Sequence, residues 1–480
     1  MLSSKLTRFK NIPVEVKASL AYTICSILQN CLAFITLPLF TRLLTTEQYG
    51  LYTVYISWST ILIIFVTLNL PYGSFQTAMT KFEDRRDLYI SSCEGICLLL
   101  AAVFMVIYLP FRQFWNSLLK LPTILMIVMV FEMLGNTAIL FWSGKQRFEF
   151  KYKSVVAVTL FNAIVAPIVT YFWVINTTQR GYARIIGYAM VTIIVGGAIF
   201  ILNIVRGKKL FHKEFWKYVL EFNLPLLCYY LSQVIFNQSD RIMIDNYCGK
   251  DKAAMYGVAY TLAIVLTFVL NAINGSFVPW FYGRLKDNSQ DGIKSITTII
   301  AVLMSVLLSG VIWLAPEIIA IMAGKQYTPA VWVVPPVAVS LLLLYYSQLF
   351  INVEFYYEKK GHLVYASIAS AVINIVLNAV FIPQFGFVAA GYTTLFSYII
   401  FAICNYIAMK AILKEKQLPY IDYNYKALVG IAVVFALLSA IAVALYSLPL
   451  LRYGIIATIL IVVVIKRKLL MKYVMMLRGM

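Results

Sequence analysis

Charge is scarce in this chain: Asp, Glu, Lys and Arg make up 12% of its 480 residues, about half the share of an ordinary soluble protein. That deficit excludes a solvated surface over most of its length. Histidine is scarcer still. Its two copies, His212 and His362, both lie near lysines, and no Asp-x-Asp pair occurs. The seven cysteines (Cys25, Cys31, Cys93, Cys97, Cys228, Cys248, Cys404) are scattered, mostly within apolar runs, with no His or second Cys pair at metal-ligand spacing. They read as small buried hydrophobes rather than metal ligands or disulfides, and no cofactor is expected. No connection between apolar runs is long enough to fold as a domain.

What fills the chain is apolar: 62% of residues are hydrophobic, in runs of about 20, the length that crosses roughly 30 Å of hydrocarbon as a helix. Fourteen runs are found, near 18–41, 51–73, 88–109, 122–143, 154–175, 182–205, 219–244, 256–279, 295–320, 331–353, 363–382, 389–409, 427–447 and 451–465. The opening MLSSKLTRFKNIPVEVK is too polar for a signal peptide and has no small-residue cleavage site, so the first span is expected to persist. The fold class expected is an all-α polytopic membrane protein.

The formal charge of +20 is unevenly spread. With the N-terminus inside, the inner stretches hold 30 Lys and Arg and the outer loops 10. The bias alternates correctly all along the chain, which places both termini in the cytoplasm. The basic excess is thus an orientation signal with an added attraction to anionic headgroups of membrane lipids. Nucleic acid is excluded as a partner.

Two halves are visible. The first span ends in TRLLTTEQYGLY (Thr41–Tyr52) and the seventh in DRIMIDNYCGKDKAAMYGVAY (Asp240–Tyr260). Each has an arginine near the end of the span (Arg42, Arg241) and a Tyr-Gly opening the next (Tyr49-Gly50, Tyr256-Gly257), which then closes on Gly-Ser-Phe at Gly73 or Gly275. A six-helix repeat keeps its orientation because six is even. The expected plan is two parallel six-helix bundles, residues 1–210 and 211–415, around a central cavity. Residues 416–480 add two further helices and a basic tail.

Polar residues inside the spans are the candidates for function. In NQSDRIMIDNY (Asn237–Tyr247), Arg241 can reach Asn237 and Asp245, each four residues away, while Asp240 points elsewhere and needs a partner on another helix. Two readings follow: a lock that staples helices together, or a cationic pair of Arg241 with Arg42 that attracts acidic substrate groups, for which the Arg fork is well suited. Glu132 sits near the centre of the fourth span. A carboxylate there either stays protonated and bonds across helices or binds and releases a coupling proton or cation. Glu94, Glu221 and Glu354 lie near the cytoplasmic ends of spans and read as solvated or snorkelling pairs. Intramembrane asparagines (Asn30, Asn69, Asn162, Asn223, Asn271, Asn274, Asn374, Asn378) suit interhelical hydrogen bonds or contacts to sugar hydroxyls. Pro38, Pro71, Pro167, Pro225 and Pro279 mark kinks or bending points.

Several stretches resemble the Wzx-type oligosaccharide flippases of the multidrug/oligosaccharide/polysaccharide exporter superfamily. They are LPLFTRLLTTEQYGLY, Asn223-Leu224-Pro225 with Asn237-Gln238-Ser239-Asp240-Arg241, and INIVLNAVFIPQFGFVAAGYTTLFSY (Ile373–Tyr398). The resemblance implies a transporter, not an enzyme, in the bacterial cytoplasmic membrane, carrying a polyprenyl-pyrophosphate-linked oligosaccharide between leaflets by alternating access. A polysaccharide polymerase is an expected partner. Arg42, Asn237, Asp240, Arg241, Asn374 and Asn378 form the candidate substrate-binding set, and Glu132 the coupling residue. Lipid-II-type flippases carry arginines deep in the cavity. Here no Arg or Lys lies near a span midpoint, so headgroup capture near one mouth, or by Asn, Tyr and helix N-termini, fits better. A multidrug antiporter of the same superfamily is the nearest rival, although the first span carries no acid between Glu15 and Glu47. A membrane polymerase or glycosyltransferase would need a long extramembrane loop and acid–base or metal-binding residues, and neither is present.

Overall fold

The computed structural model describes residues 14–465 except 288 and 360. Hydrocarbon offers no partner for backbone N–H and C=O groups, so an apolar run must satisfy them internally as a helix. Among the described residues the regular structure is helical throughout, without strands. Thirteen helices among the described residues are long and apolar enough to cross a membrane. The fourteenth expected span is a 17-residue helix, Pro449–Ile465, that runs to the edge of the described residues. The basic tail lies outside them. The chain divides into two compact units, 1–238 and 239–480.

The first unit contains α1 (Val14–Leu43), α2 (Thr46–Thr67), a short α3 (Phe75–Lys81), α4 (Arg86–Tyr108), a short α5 (Arg112–Leu119), α6 (Thr123–Phe148), α7 (Tyr152–Ile175) and α8 (Arg180–Gly207). A capping box starts α2. Thr45 Oγ1 accepts from the Gln48 backbone N–H at 3.2 Å, and the Gln48 side chain accepts from the Thr45 N–H at 3.1 Å, satisfying two otherwise orphaned donors. The helix ends where Leu68 and Asn69 adopt left-handed φ of 48° and 52°, followed by a 3-10 turn, Leu70–Tyr72, that contains Pro71. Helices α6 and α8 pack through glycines. A Cβ at Gly196 would stand 2.3 Å from the Gly135 carbonyl oxygen, a backbone approach that larger residues forbid.

Helix α9 (Lys213–Cys248) runs through the division between units. Within the first unit its Asn223 clamps the turn after α2. The side chain donates to Ser74 Oγ at 2.8 Å and accepts from the Ser74 N–H at 3.3 Å. A Cβ on Gly73 would sit 1.7 Å from Asn223 Oδ1, so the clamp requires glycine. Beside it Phe75, Phe82, Tyr89, Phe141 and Phe215 form an aromatic core.

The second unit contains α10 (Lys250–Lys286), α11 (Ile293–Trp313), a short α12 (Ala315–Met322), a 3-10 stretch (Lys325–Val333), α13 (Val334–Tyr356), α14 (Gly361–Phe385), α15 (Val388–Glu415), α16 (Tyr425–Ala444) and α17 (Pro449–Ile465). Residues such as Val106, Val205 and Leu450, more than two-thirds exposed, show where hydrocarbon rather than water covers the surface.

Several expectations change. Helices α9 and α10 have 36 and 37 residues, about 54 Å at 1.5 Å per residue, so they exceed their hydropathic runs at both ends. Hydropathy reports the segment matched to hydrocarbon, whereas backbone bonding continues until a cap stops it. The two Gly-Ser-Phe sites are not equivalent, because Gly73 closes a turn while Gly275 lies inside α10. The second copy has no Pro-containing turn to break the helix. Glu94 and Glu354 are buried rather than solvated, whereas Glu221 is exposed beside Lys217 at 3.8 Å. Cys25, Cys93 and Cys97 are buried thiols, but Cys31 and Cys228 are exposed.

Candidate functional site

In each unit an acid at membrane depth receives a tyrosine hydroxyl from a neighbouring helix. In the second unit it is Asp240 of α9, 1% exposed. Its Oδ2 accepts from Tyr256 of α10 at 2.5 Å and from Thr394 of α15 at 2.7 Å, and its Oδ1 accepts from Asn378 of α14 at 2.6 Å. A second layer holds these donors. Asn374 Oδ1 accepts from Asn378 at 3.1 Å and from Ser239 at 2.9 Å, Asn374 Nδ2 donates to Thr394 at 3.4 Å, and Thr393 donates to Asn378 Oδ1. Four helices therefore converge on one carboxylate. Burial of a carboxylate is costly unless its lone pairs are filled, and bonds to an ionised acceptor are about twice as strong as neutral ones. Arg241, the next residue, lies over the ring of Tyr260, one turn from Tyr256 on α10. Its guanidinium carbon lies 4.4 Å from the Tyr260 ring centre, a cation–π contact.

In the first unit the centre is Glu132 of α6. Tyr55 of α2, 1% exposed, donates to Glu132 Oε2 at 2.6 Å. Nearby, Arg184 of α8 is 6% exposed and lies 4.1 Å from the Phe40 ring centre, 4.2 Å from Tyr52 and 5.4 Å from Tyr188. Its Nε and Nη1 have no hydrogen-bond partner. The two units thus share a device. A tyrosine of the helix that carries the Tyr-Gly dipeptide (Tyr55 of α2, Tyr256 of α10) donates to the acid, and another tyrosine of that helix, three or four residues away (Tyr52, Tyr260), stacks on an arginine.

The structure brings Asp240, Asn374 and Asn378 together. Asn237 bonds along its own helix, to the Gln233 carbonyl at 2.7 Å, and belongs to the first unit with Glu132 and Arg42. Arg42 is exposed in the last turn of α1. Sequence reasoning passed over Tyr55, Tyr256, Thr393, Thr394 and Arg184. In the sequence Tyr256 is marked only as half of a repeated Tyr-Gly, and Arg184 only by its place near the start of the sixth apolar run. Its i,i+4 spacing to Tyr188 was the signal that would have placed it on a helix face beside an aromatic ring. Among the described residues no cluster of three or more His, Cys, Asp or Glu is placed to hold a metal ion.

Residues 16–283 match the family model described as polysaccharide biosynthesis protein. The chain belongs to the polysaccharide biosynthesis protein family. Its curated relatives are distant. It is 25% identical over 161 residues to the Lsg locus putative protein 1 of Haemophilus influenzae, covering 33% of this chain and 40% of that protein. It is 19% identical over 367 residues to an uncharacterized membrane protein of the same organism, covering 75% of this chain and 88% of that one. Among solved structures, the lipid II flippase MurJ in an inward closed conformation superposes with a TM-score of 0.69 at 14% identity, covering 94% of this chain and 99% of that one. An inward-facing multidrug resistance MATE family transporter of the MOP superfamily gives 0.62 at 12% identity, over 83% and 98%. This family member therefore has the multi-helix fold of MOP-superfamily transporters and is a multi-pass membrane protein, as the resemblance read from the sequence implied.

Proposed function

We propose that this chain moves a polyprenyl-pyrophosphate-linked polysaccharide repeat unit from the inner to the outer leaflet of the bacterial cytoplasmic membrane, with both termini cytoplasmic and no chemical bond made or broken. The observation that supports this most is the family match across 16–283 in a chain with a transporter fold. Physics sets the task. A glycan cannot cross hydrocarbon bare, since each unsatisfied polar group costs several kcal/mol. The polyprenyl tail stays in the bilayer and the glycan passes along a polar route within the protein, exposed to one side at a time.

The residue roles belong to the same proposal. Arg42 and Arg241 draw the pyrophosphate or sugar acids through charge and fork geometry. Asn374 and Asn378, expected to contact substrate, are fully buried and spend their amides on the Asp240 network, which leaves Asn237 to offer its amide to hydroxyl groups. Asp240, held by three donors, fixes α9 against α10, α14 and α15. Glu132 takes up and releases the coupling proton or cation. A polysaccharide polymerase is the partner that would receive the product.

Arg241→Ala and Glu132→Gln should each lower glycan export roughly tenfold or more, a loss equivalent to about 1.4 kcal/mol, with the protein still inserted. Normal surface polysaccharide in both variants removes these assignments. The fold shared with a multidrug transporter favours a drug antiporter as the second reading. Altered drug sensitivity with unchanged lipid-linked intermediates would select it.

A further inference from the structure

Arg184 is held unusually for a buried cation. Three aromatic rings, from α1 (Phe40), α2 (Tyr52) and α8 (Tyr188), surround its guanidinium within 5.4 Å. Two of its nitrogens are nevertheless left without hydrogen-bond partners. A salt bridge would fix both the charge and its direction. Ring faces neutralise charge through their quadrupoles without fixing the fork's orientation. Tyr55, which donates to Glu132 Oε2 at 2.6 Å, stands one turn along α2 from Tyr52, whose ring the Arg184 guanidinium covers. The titratable and charged groups acting on Glu132 are Tyr55 from α2 and Arg184 and Tyr188 from α8. Of the other elements packed on α6 (α3, α4, α7 and the 3-10 turn), α4 brings Asp87 and Glu94, which bond to Lys145 at 2.6 Å and Asn203 at 2.8 Å.

We infer that Arg184 is the movable counter-charge of Glu132: it rests in the Phe40–Tyr52–Tyr188 box while Glu132 carries its proton, and turns its free N–H groups to the carboxylate when the proton leaves. Arg184 is a positioning residue in this account and touches no substrate. The turn changes how α8 seats on α6, where the two backbones already touch at Gly135 and Gly196. Loss of one proton is thereby converted into a change of helix packing inside the first unit. The inference rests on Glu132 being the coupling group of the proposed flippase.

The test is labelling of Glu132 in native membranes by dicyclohexylcarbodiimide, which attacks protonated buried carboxyls, with the modified peptide quantified by mass spectrometry across pH. Wild-type labelling should fall as pH rises. Arg184→Gln removes the opposing charge, so its labelling midpoint should move upward by about one pH unit or more, whereas Arg184→Lys should stay near wild type. Tyr52→Leu opens the box and leaves the charge to Glu132 alone, so its midpoint should move downward. A merely structural role predicts otherwise, because loosened packing admits water and moves both variants in the same direction. Coincident profiles for Arg184→Gln and wild type, shifts of the same sign in Arg184→Gln and Tyr52→Leu, or a wild-type Glu132 unlabelled at every pH would overturn the inference. Labelling needs no substrate. The expected shifts with unchanged export in Glu132→Gln would sink the flippase coupling and spare this inference, and the converse result would sink only the inference.

Discussion

Two buried acids in the second unit make opposite cases. Asp240 receives three donors from three helices, while Glu354 of α13 is 0% exposed and neither of its oxygens finds a partner. Replacing a satisfied acceptor strands its donors, which costs about 1–3 kcal/mol per buried group. Asp240→Asn presents an amide donor to a shell built of donors. It should lower the melting temperature of the purified protein clearly, with membrane insertion retained. Thr394→Val, which removes one donor of the set, should cost less. Glu354→Met replaces an unpartnered polar group with an apolar one of similar length, and such exchanges are often neutral or stabilising. Its melting temperature should equal or exceed wild type, measured by the same scanning fluorimetry. A large loss there would mean that Glu354 has a partner its surroundings do not reveal.

At the scale of elements, junctions carry the specificity. The α2–α3 turn depends on Gly73 making room for Asn223. Gly73→Ala forces overpacking, which typically costs 1–3 kcal/mol. The pair Gly73→Ala with Asn223→Ala should be less harmful than the sum of the singles, and a double-mutant cycle on thermal stability measures that coupling. Additive effects would show that the clamp is unimportant. Elsewhere the 416–424 connector is tied down by Asp422. The Asn424 backbone N–H at 2.9 Å, then Lys294 of α11 at 3.2 Å, hold its carboxyl below the usual aspartate range. A depressed value means that the attachment is fully present above the ordinary value of about 3.9 and is lost as pH falls through the lower folded value. Pepsin cleavage within 416–424 should therefore accelerate on acidification only below about pH 4, and Asp422→Asn should abolish that increment. The reach of hydropathy ends at such junctions. It located the spans because hydrocarbon selects for apolar helices, but the break at Leu68-Asn69 and the continuity of α10 through Gly275 depend on left-handed backbone and a neighbour's side chain. Asp240 stands out for its place beside Arg241 at the end of a span, and Glu132 because acids are rare at membrane depth. Arg184 does not, since its box joins positions 40, 52, 184 and 188, three of them brought together only by folding.

For the whole molecule, the family assignment and the transporter fold bound the function, and transport of a lipid-linked glycan is the claim at stake. The decisive measurement is the sidedness of lipid-linked repeat units in the native host after deletion of this gene, read with an impermeant glycan-modifying reagent on spheroplasts and in opened membranes. The account predicts that repeat units accumulate on the inner leaflet, protected until the membrane is opened, and that wild-type protein restores outer-leaflet exposure while Glu132→Gln does not. Repeat units reaching the outer leaflet at the normal rate without the protein would contradict it.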